Sequence, residues 1–243
     1  MDNKLYIIIP AYNEEANIES VAREWHDIAV GTGEHSRIVI IDDGSNDNTY
    51  IKLQELQNEL PQLEAITKPN GGHGATILFG YRYALDNGAH YVFQTDSDGQ
   101  TLPSEFWQFW ETRKDFDLLI GYRRGRRDGL SRVLVTKVLR LVLYLCFRTW
   151  LDDANTPYRL MNRDSLTQCL QPIPDNYILP NAVLPVIYKK WNYRIKFIPI
   201  TFRPRQGGEN YINIKRIFLI GKKSITDFIR INKTIMNYKN IDS

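Results

Sequence analysis

The run Asp96-Ser-Asp98-Gly-Gln100 carries two carboxylates and an amide oxygen at alternate positions. Placed at the end of a strand, alternate side chains can turn their oxygens toward one point. Hard oxygen donors of that kind suit Mg2+ or Mn2+ and leave room for phosphate oxygens and water. Two unpaired carboxylates so close would repel, and a cation resolves the repulsion. An isolated D-x-D is more simply a solvated turn; here three further clusters accompany it. Pro10-Ala-Tyr12-Asn-Glu14 offers an aromatic ring and a carboxylate, and Asp42-Asp43-Gly-Ser45 offers two adjacent acids. Asn70-Gly-Gly-His73-Gly-Ala75 offers a loop whose glycines let backbone approach a phosphate or sugar. Asp42 or Asp43 could accept hydrogen bonds from a nucleobase or ribose, and Tyr12 could stack on a base. Ser45 or Asp47 reads as a helix-capping residue, and His73 reads as a polar residue at a helix start.

Each cluster follows an apolar run, so the elements that hold them can be read directly. Leu5–Pro10, Arg37–Asp42, Leu63–Lys68 and His90–Asp96 are short apolar runs bounded by turn residues. Continuous apolarity predicts strands buried on both faces of a parallel sheet. Between them Ile18, Val21, Ala22, Trp25 and Ile28 recur at helical spacing, and Thr76 to Leu85 forms a second such face. Strands alternating with helices predict an α/β fold with a mostly parallel sheet, whose ligands bind beyond the carboxyl ends of the strands. Farther along, Asp117–Gly121 reads as a strand, Leu130 to Trp150 as a long helix, Asn192–Arg203 as an alternating strand with a bulge or edge at Pro199, and Ile214 to Met236 as a last helix.

The chain has 243 residues, 43% apolar and 24% charged, which fits one globular domain and excludes disorder or collagen-like repeats. Two cysteines, Cys146 and Cys169, cannot build a disulfide framework or a four-thiolate zinc site, and a reducing compartment is expected. Neither a signal peptide nor an apolar stretch long enough to span a bilayer is expected. The net charge of +3 hides a concentration: residues 121–150 carry eight bases against one acid, leaving the rest of the chain mildly acidic. Nucleic-acid binders are usually basic more broadly, whereas an island points to one local anionic partner. No G-x-G-x-x-G follows the first strand, which disfavours a nicotinamide dehydrogenase, and AYNEE lacks the glycine and base of a nucleotidyltransferase loop.

IIIPAYNEEANI, IDDGSNDNT, NGGHGATILFGYRYA and TDSDGQ, in that order, resemble family 2 of the inverting nucleotide-sugar glycosyltransferases, which have the GT-A fold. Within it the chain is most similar to the polyprenyl-phosphate glycosyltransferases, of which dolichol-phosphate mannosyltransferase is the familiar member. The resemblance runs from about Lys4 to Met161 and more faintly to Asn210. It implies a Rossmann-like central sheet with helices on both faces, a glycosyltransferase domain over residues 1–210 and a helical extension over 211–243. It further implies that Pro10, Tyr12 and Glu14 line the base and ribose, with Asp43 on the base and Asp42 beside it. Asp96 and Asp98 match the pair that holds the metal of the diphosphate, Mg2+ or Mn2+, with Gln100 as third ligand. Arg123, Arg132 and Thr136 match an Arg…Arg-x-x-x-Ser pattern that grips a lipid phosphate, with Thr for Ser. Asp153 opens a stretch similar to D-x-x-S-G-F-R, with Pro157 where Gly is usual, and Arg205 opens RQGGEN, similar to R-x-x-G-x-S.

The basic island agrees with an anionic lipid acceptor. Between Val133 and Leu151, 14 of 19 residues are apolar, yet the longest unbroken run is seven. Arg132, Thr136 and Arg140 fall on one helical stripe, with Lys137 and Arg148 nearby and the rest of the circumference Leu, Val, Tyr and Phe, as in a helix lying at a membrane interface; an ordinary buried helix is the alternative. A polyprenyl phosphate is already anionic near neutral pH and can attack without a general base, whereas a hydroxyl acceptor needs one. Relatives using hydroxyls commonly carry an acidic pair where this chain reads ILPNAVLP from Ile178, although Asp152 and Asp153 remain alternatives. The expected activity is metal-dependent transfer, with inversion, from a UDP- or GDP-sugar to a polyprenyl phosphate. The protein is expected on the cytoplasmic face of the membrane, held peripherally or by a separate anchoring protein. Transfer to a glycan hydroxyl, and nucleotide-sugar binding without catalysis, are the alternatives.

Overall fold

The computed structural model describes residues 4–123, 130–151, 155–203 and 214–239; for 123, 130–137, 214–224 and 239 it is read for the backbone alone. The first half alternates strand and helix: β1 (Leu5–Ala11), α1 (Ile18–Thr32), β2 (Arg37–Asp42), α2 (Thr49–Gln57), β3 (Leu63–Thr67), α3 (His73–Asp86) and β4 (Tyr91–Gln94). A 3-10 turn at Pro103–Glu105 leads into α4 (Phe106–Thr112), followed by β5 (Leu118–Arg123), α5 (Leu130–Phe147), β6 (Arg159–Asn162) and α6 (Arg163–Leu170). The chain continues through α7 (Pro180–Lys190), β7 (Ile195–Ile200) and α8 (Ile214–Lys239).

These strands form one seven-stranded sheet in the order β3-β2-β1-β4-β6-β5-β7. β1 pairs in parallel with β2 and β4, β2 with β3, and β5 with β7; β6 is antiparallel to both its neighbours. The apolar runs behave as their composition dictates. All seven residues of β1 are buried, and its alternate side chains feed two separate cores. Tyr6 and Ile8, with Val39 and Ile41 of β2, face the layer that holds Ile77, Leu78 and Tyr81 of α3 and most of α7. Ile7 and Ile9, with Ile38 and Ile40, face Trp25 of α1 and Phe106 and Phe109 of α4. Each such side chain contributes roughly 1.5–3 kcal/mol on burial, so the register of the central strands is strongly specified.

The second half differs from the sequence expectation in its connections. β6, only four residues long, slots between β4 and β5 with Leu160 opposite both Phe93 and Leu119. β7 spans Ile195–Ile200 rather than Asn192–Arg203, and as the last strand it accommodates Pro199 at a sheet edge. α8 packs on α5: the Phe147 and Phe228 rings are 5.5 Å apart, and Asn232 Nδ2 donates to the Cys146 carbonyl at 3.1 Å. Cys146 and Cys169 are both free. Among the described residues, no helix is long and apolar enough to cross a membrane.

Candidate functional site

Strands leave β1 in one direction through β2 and β3, then resume on its other side with β4. The strand order therefore reverses between β1 and β4, and side chains just past the carboxyl ends of the two strands face a common crevice. A cavity of about 390 Å3 lies there. Its walls include Pro10 near the end of β1, Tyr12 and Glu14 after it, Asp43 after β2, and Asp96 and Asp98 after β4. Asn70, His73 and Thr76 close it from the loop and first turn of α3. Members of all four sequence clusters thus meet in one place.

The loops are stitched to one another by hydrogen bonds. Asn13 takes a left-handed backbone (φ 54°), which Asn tolerates. Its amide donates to Ser45 Oγ and its side-chain oxygen accepts from the Asn46 amide, both at 2.9 Å. Tyr12, 45% exposed, leaves an aromatic face accessible. The Glu14 carbonyl accepts from the amides of Asn17 and Ile18 at 2.9 Å, and its carboxylate accepts from Asn17 Nδ2 at 2.8 Å, which fixes the entry into α1.

The adjacent acids have divided roles. Asp42 is buried and accepts from the Ser45 amide at 3.1 Å and from Thr67 Oγ1 at 2.7 Å, tying β2 to its loop and to β3. It is absent from the cavity wall, so the residue expected beside the base serves the frame. Asp43 lines the cavity while accepting from Lys68 Nζ and from the amides of Gly71 (2.9 Å) and Gly72 (2.8 Å). Burial pushes its carboxyl pKa up, but Lys68, the Gly71 amide and the Thr76 hydroxyl outweigh burial and hold it below the usual carboxylate range. The Gly71 and Gly72 amides, read from sequence as free to approach a phosphate or sugar, are therefore engaged by Asp43. Lys68, which the sequence reading passed over, is the cation of this cluster.

At the opposite wall, Asp96 and Asp98 follow β4 and turn at Gly99 (φ 67°). Asp98 also accepts from the Gln100 amide at 3.1 Å. Gln100 does not line the cavity; its side-chain amide donates to the Arg203 carbonyl at 3.0 Å, beside the bridge between Thr101 and Phe202. Two hard carboxylates two residues apart on an open wall suit Mg2+ or Mn2+ completed by phosphate and water. Among the described residues, no group of three or more His, Cys, Asp or Glu side chains is placed to hold a metal, so the protein itself would supply few ligands.

His73, expected to be a mere helix-start residue, stands in this wall. Its Nε2 lies 3.1 Å from Asp96 Oδ1, and its side chain is 55% exposed. Desolvation opposes charge on the imidazole, but Asp96, with Asp43 and Asp98 nearby, outweighs it and raises the pKa above the ordinary histidine value. The following residue explains how the ring is held. A Cβ on Gly74 would meet the Ile178 and Tyr177 carbonyl oxygens at 2.3 and 2.5 Å, so only glycine lets α3 start this close to the segment before α7.

Of the acceptor-side expectations, Asp153 and Arg205 lie outside the described residues, and so does Asp152. Arg123 ends β5, while Arg132 and Thr136 lie in the first turns of α5, all three described by backbone alone. The second half of α5 is clearer. Val138, Leu141, Tyr144 and Leu145 are exposed, and Trp150 beyond it stacks edge-on to Tyr144 with the Arg140 guanidinium 4.7 Å from its ring.

Comparison with known proteins places this geometry among relatives. The family model described as "Glycosyl transferase family 2" matches residues 6–170. Undecaprenyl-phosphate 4-deoxy-4-formamido-L-arabinose transferase of Salmonella paratyphi B is 21% identical over 220 residues, which cover 88% of this chain and 64% of the relative. The chain thus spans a little under two thirds of the length of such curated relatives. Among solved structures, glucosyl-3-phosphoglycerate synthase from Mycobacterium tuberculosis, in complex with Mn2+ and UDP-glucose, superposes with a TM-score of 0.65. That match covers 93% of this chain and 79% of the other at 17% identity. TarS of S. aureus, in complex with UDP-GlcNAc, gives 0.60 at 17% identity, covering 89% of this chain and 64% of the other.

Proposed function

The chain belongs to glycosyl transferase family 2 and has the GT-A fold, and from that premise we propose that it transfers a sugar from a UDP- or GDP-sugar to a polyprenyl phosphate at a membrane surface. One observation carries the reading: Tyr12 and Asp43 stand in the same cavity as Asp96 and Asp98, a base end and a cation end at one switch point. The curated relative named for transfer to undecaprenyl phosphate supports the acceptor class.

Each residue then has a task. Tyr12 presents its ring to the base, and Asp43, held charged by Lys68, accepts a base N–H of the kind that uracil and guanine both offer. Glu14, anchored through Asn17, supports the ribose side. Asp96 and Asp98 would hold Mg2+ or Mn2+, which offsets charge growing on the departing diphosphate. Arg123, Arg132, Thr136 and Arg205 grip the acceptor phosphate. The phosphate oxygen forms its bond to the anomeric carbon on the face opposite the leaving diphosphate, which inverts the configuration. No proton has to be removed from an acceptor that is already an anion. The stretch from Ile178 to Pro185, where hydroxyl-using relatives commonly carry acids, has none, and in α7 it is almost wholly buried. The exposed apolar residues of α5, beside a basic island, suit a membrane interface.

A transfer assay tests the proposal. Purified protein with Mg2+ or Mn2+ receives labelled UDP- and GDP-sugars, with and without a short polyprenyl phosphate. Label entering the organic phase only with lipid is the expected result. Nucleotide release without a lipid product would point to another acceptor, and tight nucleotide binding without turnover to a binding protein.

A further inference from the structure

We infer that His73 is a donor-positioning residue whose Nε2 leaves Asp96 and hydrogen-bonds the diphosphate when the nucleotide sugar enters. This deepens the proposed donor site and rests on that reading. A nucleoside diphosphate that places its base by Tyr12 and Asp43 and its phosphates by Asp96 and Asp98 must pass the start of α3, where His73 projects. Four carboxylates line that path, those of Glu14, Asp43, Asp96 and Asp98, and among the described residues of the wall His73 is the sole basic side chain. A diphosphate entering such a wall needs donors on the side that a cation at Asp96 and Asp98 does not reach.

In the loop before α3 the Gly71 and Gly72 amides already donate to Asp43, which leaves the loop only neutral donors such as the Asn70 side chain. The one basic donor among the described residues of the wall is the imidazole, more than half exposed and 3.1 Å from the carboxylate it would exchange. Its position is not free to drift, since the close fit of Gly74 under the Tyr177 and Ile178 carbonyls holds the first turn of α3. The contact with Asp96 thus engages one prospective cation ligand, which nucleotide and cation together would release.

The test compares the full chain with His73→Ala and His73→Gln by equilibrium dialysis, using UDP and GDP with Mn2+, uridine and guanosine, and Mn2+ alone. His73→Ala is expected to weaken binding of the preferred diphosphate about tenfold or more, the loss of a hydrogen bond to a charged group. Nucleoside binding stays unchanged, and Mn2+ alone binds as well or better because Asp96 is released. His73→Gln, which keeps an N–H donor, recovers part of the diphosphate affinity. Unchanged diphosphate binding in His73→Ala, or an equal loss for nucleoside and diphosphate, would overturn the inference while leaving the donor reading standing. Failure of the unmodified chain to bind either diphosphate would remove that reading and the inference together.

Discussion

Lys68 lies against Asp43 because β2 and β3 pair in parallel with Asp42 opposite Thr67, so the residues that follow each strand are neighbours. The pair sits deep in the loops, with side-chain exposures of 16% for Lys68 and 5% for Asp43. A carboxylate this buried is tolerated only with a cation and hydrogen bonds around it.

Lys68→Met should therefore destabilise the fold by about 2–3 kcal/mol, somewhat below the ~3–5 kcal/mol of fully buried pairs because Lys68 retains some solvent. Urea denaturation of the two proteins measures it. A change under about 0.5 kcal/mol, the size expected of surface substitutions, would mean that Gly71 and Gly72 alone satisfy Asp43.

The two strand-end acids Asp42 and Asp98 should fail in opposite ways. Asp42 is engaged by Ser45 and Thr67 and stays out of the cavity. Asp42→Asn replaces the charged acceptor of the Ser45 amide and Thr67 hydroxyl with a neutral amide, so it should lower stability by about 1–2 kcal/mol with little direct effect on nucleotide affinity. Asp98→Asn should leave the melting temperature nearly unchanged and abolish metal-dependent nucleotide binding and transfer. Full turnover in Asp98→Asn would remove that residue from the metal site.

Glycines at 72 and 74 separate conformation from space. Gly72 has φ 85° with ψ 159°, a backbone region essentially reserved for glycine, and open surroundings, so Gly72→Ala should cost backbone strain alone, about 2 kcal/mol. Gly74→Ala drives a methyl into two backbone carbonyls and should cost more, roughly 3 kcal/mol, the upper part of the range for overpacking. It should also reduce nucleotide affinity by moving His73. Thermal melts with nucleotide titration distinguish the two; equal costs would contradict the packing argument.

Structure is legible in sequence where one element alone decides the outcome. The apolar runs of β1 to β3 and the helical faces of α1 and α3 are local patterns, and Tyr12, Asp43, Asp96 and Asp98 follow strand ends that could be counted. β4 ends at Gln94 rather than Asp96, so both acids stand clear of the ladder. β6 was missed because four residues, RLMN, carry no period, and their pairing comes from Phe93 and Leu119 far away in sequence. α7 was missed because Pro185 inside it reads as a breaker and burial around its circumference erases any amphipathic pattern. Lys68 and His73 escaped for a related reason. One acquires its role from strand register and the other from how α3 meets the loop after β4.

Acid sensitivity should trace in part to Asp117, just before β5. Its carboxylate accepts from the Arg194 amide at 2.8 Å, from the Arg194 guanidinium and from Asn162 Nδ2 at 3.0 Å, joining β5, β6 and β7. Burial pushes its pKa up, but Arg194 and Asn162 outweigh burial and depress it. A depressed folded-state value means the contribution is complete above the ordinary carboxylate pKa of about 4 and lost as pH falls through the depressed one. Asp117→Asn should thus be less stable at pH 7 and show a flatter stability profile below about pH 4. Parallel profiles for the two proteins would refute the assignment.

Exposed apolar side chains gather where a bilayer would meet the protein. Among the described residues, eight of the fourteen large exposed apolar side chains lie on α5, on α8 or at Trp150, although those helices pack together and could have buried more. The sequence of α8 adds seven Lys or Arg against one acid, and α5 adds three against none. Apolar side chains interleaved with bases favour an interface with anionic lipid, where each base near the surface contributes about 1 kcal/mol. Leu141 and Leu145, 54% and 57% exposed, give the cleanest test because removing them disturbs little of the core. The double variant Leu141→Glu, Leu145→Glu should keep its melting temperature and its nucleotide affinity. It should lose at least tenfold in cosedimentation with vesicles containing about one quarter phosphatidylglycerol, since burying two leucines is worth about 3 kcal/mol or more. Binding that falls with added salt but ignores the substitution would show that charge alone holds the protein to the surface.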